Sequence, residues 1–151
     1  MAADTSSAPV SAPIANVRDW PSEDAPEWAA FHFNRCWPWL EASLAIQPVQ
    51  THAREHVWEE IASGRSQIWP TPNSCCLVEI NTYPSGLKAM FGWLAGGDLD
   101  ELKVTCLALE KHARECGCDV FAVQGRRGWV RALEGFEDAG TTIVKVLRCP
   151  D

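Results

Sequence analysis

The stretch Trp93-Leu-Ala-Gly-Gly-Asp-Leu-Asp-Glu-Leu102 joins an apolar run to two glycines and a burst of carboxylates. A strand, a glycine turn and a helix start make an anion cradle in many α/β proteins. The first backbone N–H groups of the helix are free there, and its dipole favours negative charge. In this chain the turn is short, and Asp98, Asp100 and Glu101 stand where a phosphate would sit. A second motif is Gly125-Arg-Arg-Gly-Trp129, with Arg126 and Arg127 at a strand-to-helix turn. Paired arginines grip a phosphate or a partner's carboxylate. The flanking glycines permit unusual backbone angles while Trp129 packs beneath. The same five residues read equally as a structural turn or as a protein contact. His112 and Cys116 lie four apart on one helix face with Cys118 nearby, but no fourth ligand and no C-x-x-C pair accompanies them, so no metal site is assigned. No G-x-S-x-G elbow and no Walker loop is present.

Composition narrows the field. The chain has 151 residues, 46% hydrophobic and 22% charged, enough for one globular domain with a core and a modest appendage. A formal net charge of −7 with only 13 Lys and Arg argues against direct nucleic-acid binding, which depends on clustered cations. Eight Trp against one Tyr bring much apolar surface that a core or a partner must cover. No apolar run reaches 18 residues, so no membrane helix is expected. The start MAADTSSAPVSAP lacks the basic and apolar regions of a secretory signal. Seven Cys without regular spacing suit a reducing compartment. Cys36, Cys75, Cys76 and Cys106, inside apolar runs, read as small buried hydrophobes.

The elements that must position these motifs follow from periodicity. Residues 1–24, rich in Ala, Ser and Pro, read as a flexible or partner-bound arm ahead of a domain spanning 25–151. Asp24-Ala-Pro-Glu27 has the form of a capping box and opens a Trp-rich helical segment over 25–46. Trp28, Phe31, Trp37 and Trp39 cover more than one face of it, as core or as protein interface, and Pro38 should bend or divide it. A second helix is expected over His52–Ser63, with Thr51 as N-cap and Gly64 as stop. Three strands follow, Gln67–Trp69, Cys75–Tyr83 and Leu87–Leu94, the last two joined by the turn Tyr83-Pro-Ser-Gly86. Ala95-Gly96-Gly97 reads as a loop into a helix over Asp98–Cys116, ended by Gly117. A strand Asp119–Val123, a short helix from Trp129, the turn Gly135-Phe136 and a closing strand Thr142–Leu147 complete the chain. The long helix then crosses between two parallel strands.

From about Thr51 to Leu147 this order resembles the GNAT (GCN5-related N-acetyltransferase) fold: an α/β fold with a central mixed sheet flanked by helices, here with an extended N-terminal arm and a Trp-rich helix. The segments Trp93–Leu102, Glu110-Lys-His-Ala-Arg-Glu-Cys-Gly117 and Gly125–Trp129 are similar to GNAT-like proteins of tailed phages, some of which are virion or virion-morphogenesis proteins.

The resemblance implies where an enzyme of this fold would keep its machinery. Active members hold the pyrophosphate of acetyl-CoA with a loop of the form Q/R-x-x-G-x-G/A. The corresponding Leu94-Ala95-Gly96-Gly97-Asp98 lacks the leading residue and the full length, and it adds carboxylates. Two such contacts, each costing on the order of 1–4 kcal/mol, would remove most of a micromolar affinity of about 8 kcal/mol. The usual general acid is a Tyr in the last helix, whereas Tyr83 stands in a hairpin turn. Glu79 is the one plausible base on a central strand, and it reads equally as an exposed strand position. The expectation is therefore a catalytically inactive structural or assembly protein of a phage virion, without cofactor. Its partners would be other phage structural proteins or further copies of itself, and its place the virion or the host cytoplasm during assembly. The alternative is an acyltransferase that uses acetyl-CoA in an altered loop; fold does not decide between them.

Overall fold

The computed structural model describes residues 17–124, 129–140 and 144–147, residue 130 by its backbone. Helix α1 (Trp28–Leu44) and helix α2 (Arg54–Ala62) precede a hairpin of β1 (Gln67–Thr71) and β2 (Ser74–Thr82). Strand β3 (Lys88–Gly97), helix α3 (Leu99–Glu115), strand β4 (Val120–Val123) and the short helix α4 (Trp129–Ala132) follow. The sheet order is β1-β2-β3-β4, with β1, β2 and β3 antiparallel and β3 parallel to β4 across the α3 crossover.

Alternation along the strands divides the core between the two faces of the sheet. Ile68, Cys75, Leu77 and Leu94 pack with Phe33, Cys36 and Leu40 of α1 and with Val57 and Ile61 of α2. Cys76, Val78 and Met90 pack with Leu109 and Ala113 of α3. A sheet covered on both sides explains why β2 is buried without a break from Ser74 to Val78. Of the Trp-rich segment, Trp28, Trp37 and Trp39 pack partly buried against the first cluster, and the Phe31 ring lies on His32 at 5.1 Å.

Several expectations need correction. The capping box at Asp24 does not form: α1 begins at Trp28, and Glu27 precedes it in helical geometry without a side-chain cap. Pro26 biases Ala25 away from helical backbone, so residues 22–28 wind through turns, with Trp28 N–H donating to Ala25 O. Pro38 neither bends the element into two pieces nor ends it. The carbonyl it orphans belongs to Asn34, and Asn34 and Pro38 are both exposed, so water can satisfy that group. Helix α2 starts two residues late because Thr51 Oγ1 pairs with His52 Nδ1, while the Ala53 N–H donates to His56 Nδ1. The expected loop Ala95-Gly96-Gly97 is strand, paired with Ser74–Cys76. Val144–Leu147 form no strand; Thr142 and Ile143 lie outside the described residues.

Burial sets the thiol chemistry. Cys36, Cys75 and Cys76 are buried, whereas Cys106 is half-exposed, contrary to expectation, because it lies on the side of α3 that lines a cleft. Burial pushes the Cys75 thiol well up, with neighbouring Cys36 adding to it, and pushes Cys76 to about 12. Iodoacetamide at about pH 8 should leave Cys36, Cys75 and Cys76 unmodified in the native protein and alkylate them once it is unfolded. Peptide mass mapping checks this, and native-state labelling of any of the three would contradict the packing.

Candidate functional site at the start of helix α3

The junction of β3 and α3 is built by a bulge. Leu77 pairs with Leu94 and Val78 with Gly92, so Trp93 is the extra residue on β3. Its ring packs against the first core cluster, and Nε1 donates to Ser66 Oγ at 3.0 Å. A bulge bends its strand and ends pairing. Strand β4 pairs with β3 from Ala89 to Gly92, short of the bulge. Beyond the bulge the Ala95 N–H donates to Ser43 Oγ of α1 at 3.2 Å.

Both glycines are explained by what presses on them. A Cβ on Gly96 would lie 2.7 Å from Trp39 O, so only glycine lets α1 cross here. Gly97 has φ +108°, and its Cβ would fall 2.3 Å from Asn73 O and 2.5 Å from Ser74 Cα. The Asp98 N–H then donates to Asn73 O at 2.8 Å. The glycines thus admit the β1–β2 turn and α1 to the junction.

The helix start is filled by its own carboxylates. Asp98 caps α3 by accepting the Glu101 N–H at 3.0 Å. Glu101 reaches into the β1–β2 turn, accepting from Thr71 Oγ1, from the Asn73 N–H at 2.8 Å and from Asn73 Nδ2 at 2.9 Å. Burial works to raise the Glu101 carboxyl, but the hydrogen bonds from Thr71, Asn73 and Ser74 outweigh it and hold it below its ordinary range. An anion approaching the start of α3 would meet this charge beside the Asp98 carboxylate that already takes the Glu101 N–H.

Arg35 holds the same turn from the other side. Its guanidinium is buried and donates to Pro72 O at 3.1 Å and Thr71 O at 2.8 Å. It also donates to His32 Nδ1 and lies under the Trp20 ring at 4.6 Å. His32 is fully buried among Trp20, Trp28 and Phe31, and its Nε2 has no hydrogen-bond partner among the described residues. Burial, and after it the Arg35 charge, lowers the His32 pKa to about 4. Sequence reasoning missed this arrangement; its one signal was a lone Arg inside an otherwise aromatic helix stripe.

The other candidate residues do not converge on this junction. Glu79 lies five residues along β2 from Ser74, about 17 Å away at strand spacing, and accepts from Asn81 Nδ2. Tyr83 lies beyond it and is exposed. His112 Nε2 and Cys116 Sγ come within 3.6 Å, but no group of three metal-ligating side chains occurs among the described residues. Gly125, Arg126, Arg127 and Gly128 lie outside the described residues. Trp129 begins α4 and, with Leu99, Leu102, Val123 and Leu133, lines an apolar cleft beside α3. That cleft leaves about 10 Å³ open, no more than one water takes.

With this geometry the chain superposes on the crystal structure of a probable acetyltransferase. The TM-score is 0.57 at 11% identity, over 80% of this chain and 93% of the other. The fold is GNAT-like. No family model matches the sequence, and no curated protein matches it. At that identity the likeness speaks for the GNAT-like fold alone: a four-stranded mixed sheet with helices on both faces. No helix among the described residues is long and apolar enough to cross a membrane.

Proposed function

We propose that this chain is a structural or assembly protein of a tailed phage, built on the GNAT-like fold and catalytically inactive. The observation that carries the reading is the Glu101 carboxylate lodged in the β1–β2 turn, with Asp98 capping the same helix start. An acetyl-CoA pyrophosphate at the start of α3 would compete with Asp98 for the Glu101 N–H and would meet two carboxylates there. The glycines support the reading, because each is required by a backbone contact within the protein. The narrow cleft at Trp129 supports it too, since about 10 Å³ is open there, no more than one water takes. The proposed setting, the virion or the host cytoplasm during assembly, rests on the resemblance of Trp93–Leu102 and Glu110–Gly117 to phage GNAT-like proteins read from the sequence. The half-buried Trp28, Phe31, Trp37 and Trp39 supply a surface for other phage structural proteins.

Calorimetric titration with acetyl-CoA tests the reading. No heat of binding is expected up to about 1 mM ligand, whereas a Kd near 1 μM, about 8 kcal/mol, would overturn it in favour of an acyltransferase with an altered loop. Mass spectrometry of particles purified from the host strain tests the setting. Recovery of the chain with the particles is expected, and its confinement to the particle-free supernatant would remove it from the virion.

A further inference from the structure

Strand β2 is longer than the strand that borders it. Strand β1 pairs with β2 only from Ser74 to Val78, so Glu79–Thr82 have β3 on one side and, among the described residues, no strand on the other. The Tyr83 N–H donates to Leu87 O, toward the β3 side. Backbone groups alternate along a strand, which turns the N–H and C=O of Ile80 and Thr82 to the free side. Beside this edge lies a groove of about 420 Å³, lined by Glu60, Arg65, Gln67, Glu79, Ile80 and Asn81.

Charge in the groove is unbalanced. Arg65 is committed to Glu60, with Nε and Nη2 at 3.1 and 2.9 Å from Oε2. Glu79 accepts from Asn81 Nδ2 at 3.1 Å, and no cation pairs with it among the described residues. Alternation puts Glu79 on one face of β2 and Ile80 on the other. The complement is an extended segment with a cation on one face and apolar residues on the next.

Val144-Lys145-Val146-Leu147 has that pattern. It lies outside every helix and strand, Val144, Val146 and Leu147 are 44%, 53% and 87% exposed, and Lys145 has no ion-pair partner among the described residues. The segment does not occupy the groove of its own chain, and β4, which precedes it, is at the opposite end of the sheet order from β1. We propose that the groove beside β2 receives Val144–Leu147 of a second copy as an added strand, with Lys145 opposite Asn81 on the face that carries Glu79, and the two valines opposite Ile80 and Thr82.

Donor segment and acceptor groove are different surfaces, so the contact is heterologous. Each copy gives one segment and receives another, and the copies build a ring or an open filament. Main-chain hydrogen bonds to Ile80 and Thr82 supply affinity, and the Lys–Glu pair sets which segment fits. The contact does not depend on whether the protein is catalytic.

Sedimentation velocity of the full chain, from about 10 μM to about 1 mM, should show a mean sedimentation coefficient that rises with concentration. E79K and K145E should each lower the association constant about tenfold, and the double variant, with the charges exchanged, should restore it. A wild-type monomer throughout, or association unchanged in E79K, would overturn the proposal. A synthetic peptide of residues 142–148 provides a test on the unaltered protein. It should shift the NMR signals of the Ile80 and Thr82 amides, and a peptide with Glu at the Lys145 position should not. Shifts at Val120–Val123 in place of Ile80 and Thr82 would assign the segment to β4 and overturn the proposal.

Discussion

Gly97→Ala should lower the stability of the native protein by roughly 3–5 kcal/mol, the sum of a strained backbone and an overfilled contact. At φ +108° an L side chain is already strained, and the new Cβ would overlap Asn73 O at 2.3 Å and Ser74 Cα at 2.5 Å. Both obstructing atoms are backbone of a turn held by Arg35 and Glu101, so the turn has little room to retreat. Gly64→Ala is the matched control. It has φ +84° with nothing within 4 Å of the new Cβ, so it carries only the backbone strain of about 1–2 kcal/mol. Urea unfolding of the two variants separates overlap from strain. Equal losses would mean that the β1–β2 turn does not press on Gly97.

Acid should weaken the fold before its carboxylates titrate. His32 is neutral in the folded protein, with its pKa lowered from 6.5 to about 4 by burial and then by Arg35. Between those values the unfolded chain binds the proton more readily than the folded one, so stability rises with pH. The contribution of His32 is complete above the unfolded pKa of 6.5 and is lost as pH falls toward 4, up to about 3 kcal/mol. Glu101 adds its loss lower, as pH falls through a folded pKa held under the ordinary carboxylate range. Unfolding free energies across this window for the wild type and for His32→Phe should diverge, the variant showing the flatter dependence. Parallel curves would show that His32 takes up its proton without opening the aromatic enclosure.

Much of the sheet was readable because strand signals are local. Alternation and flanking turn residues marked β2 and β3, and Asp98 and Gly117 marked both ends of α3. The starts of α1 and α2 were misread where two local signals compete: Pro26 against the Asp24 box, and His56 against Thr51. The glycine pair was legible as a junction but not as a packing device, since its obstructions come from Trp39 and Asn73, far away in sequence. The carboxylates at the start of α3 were likewise visible, while the donors that hold Glu101 lie 28 to 30 residues earlier. Arg35 answers to a turn more than 35 residues beyond it, and no periodicity encodes that contact.

The two grips on the β1–β2 turn also solve an alignment problem. Strand β1 is a five-residue edge strand containing a proline, and such a strand has few ladder hydrogen bonds with which to choose its position. Sliding β1 by one residue along β2 would invert every side chain and redirect every backbone group. Thr71 would then withdraw its hydroxyl from Glu101 and its carbonyl from Arg35 in the same movement. Anchors on opposite helices, one reading donors and the other reading acceptors, therefore act as a registration mark that only the native alignment satisfies.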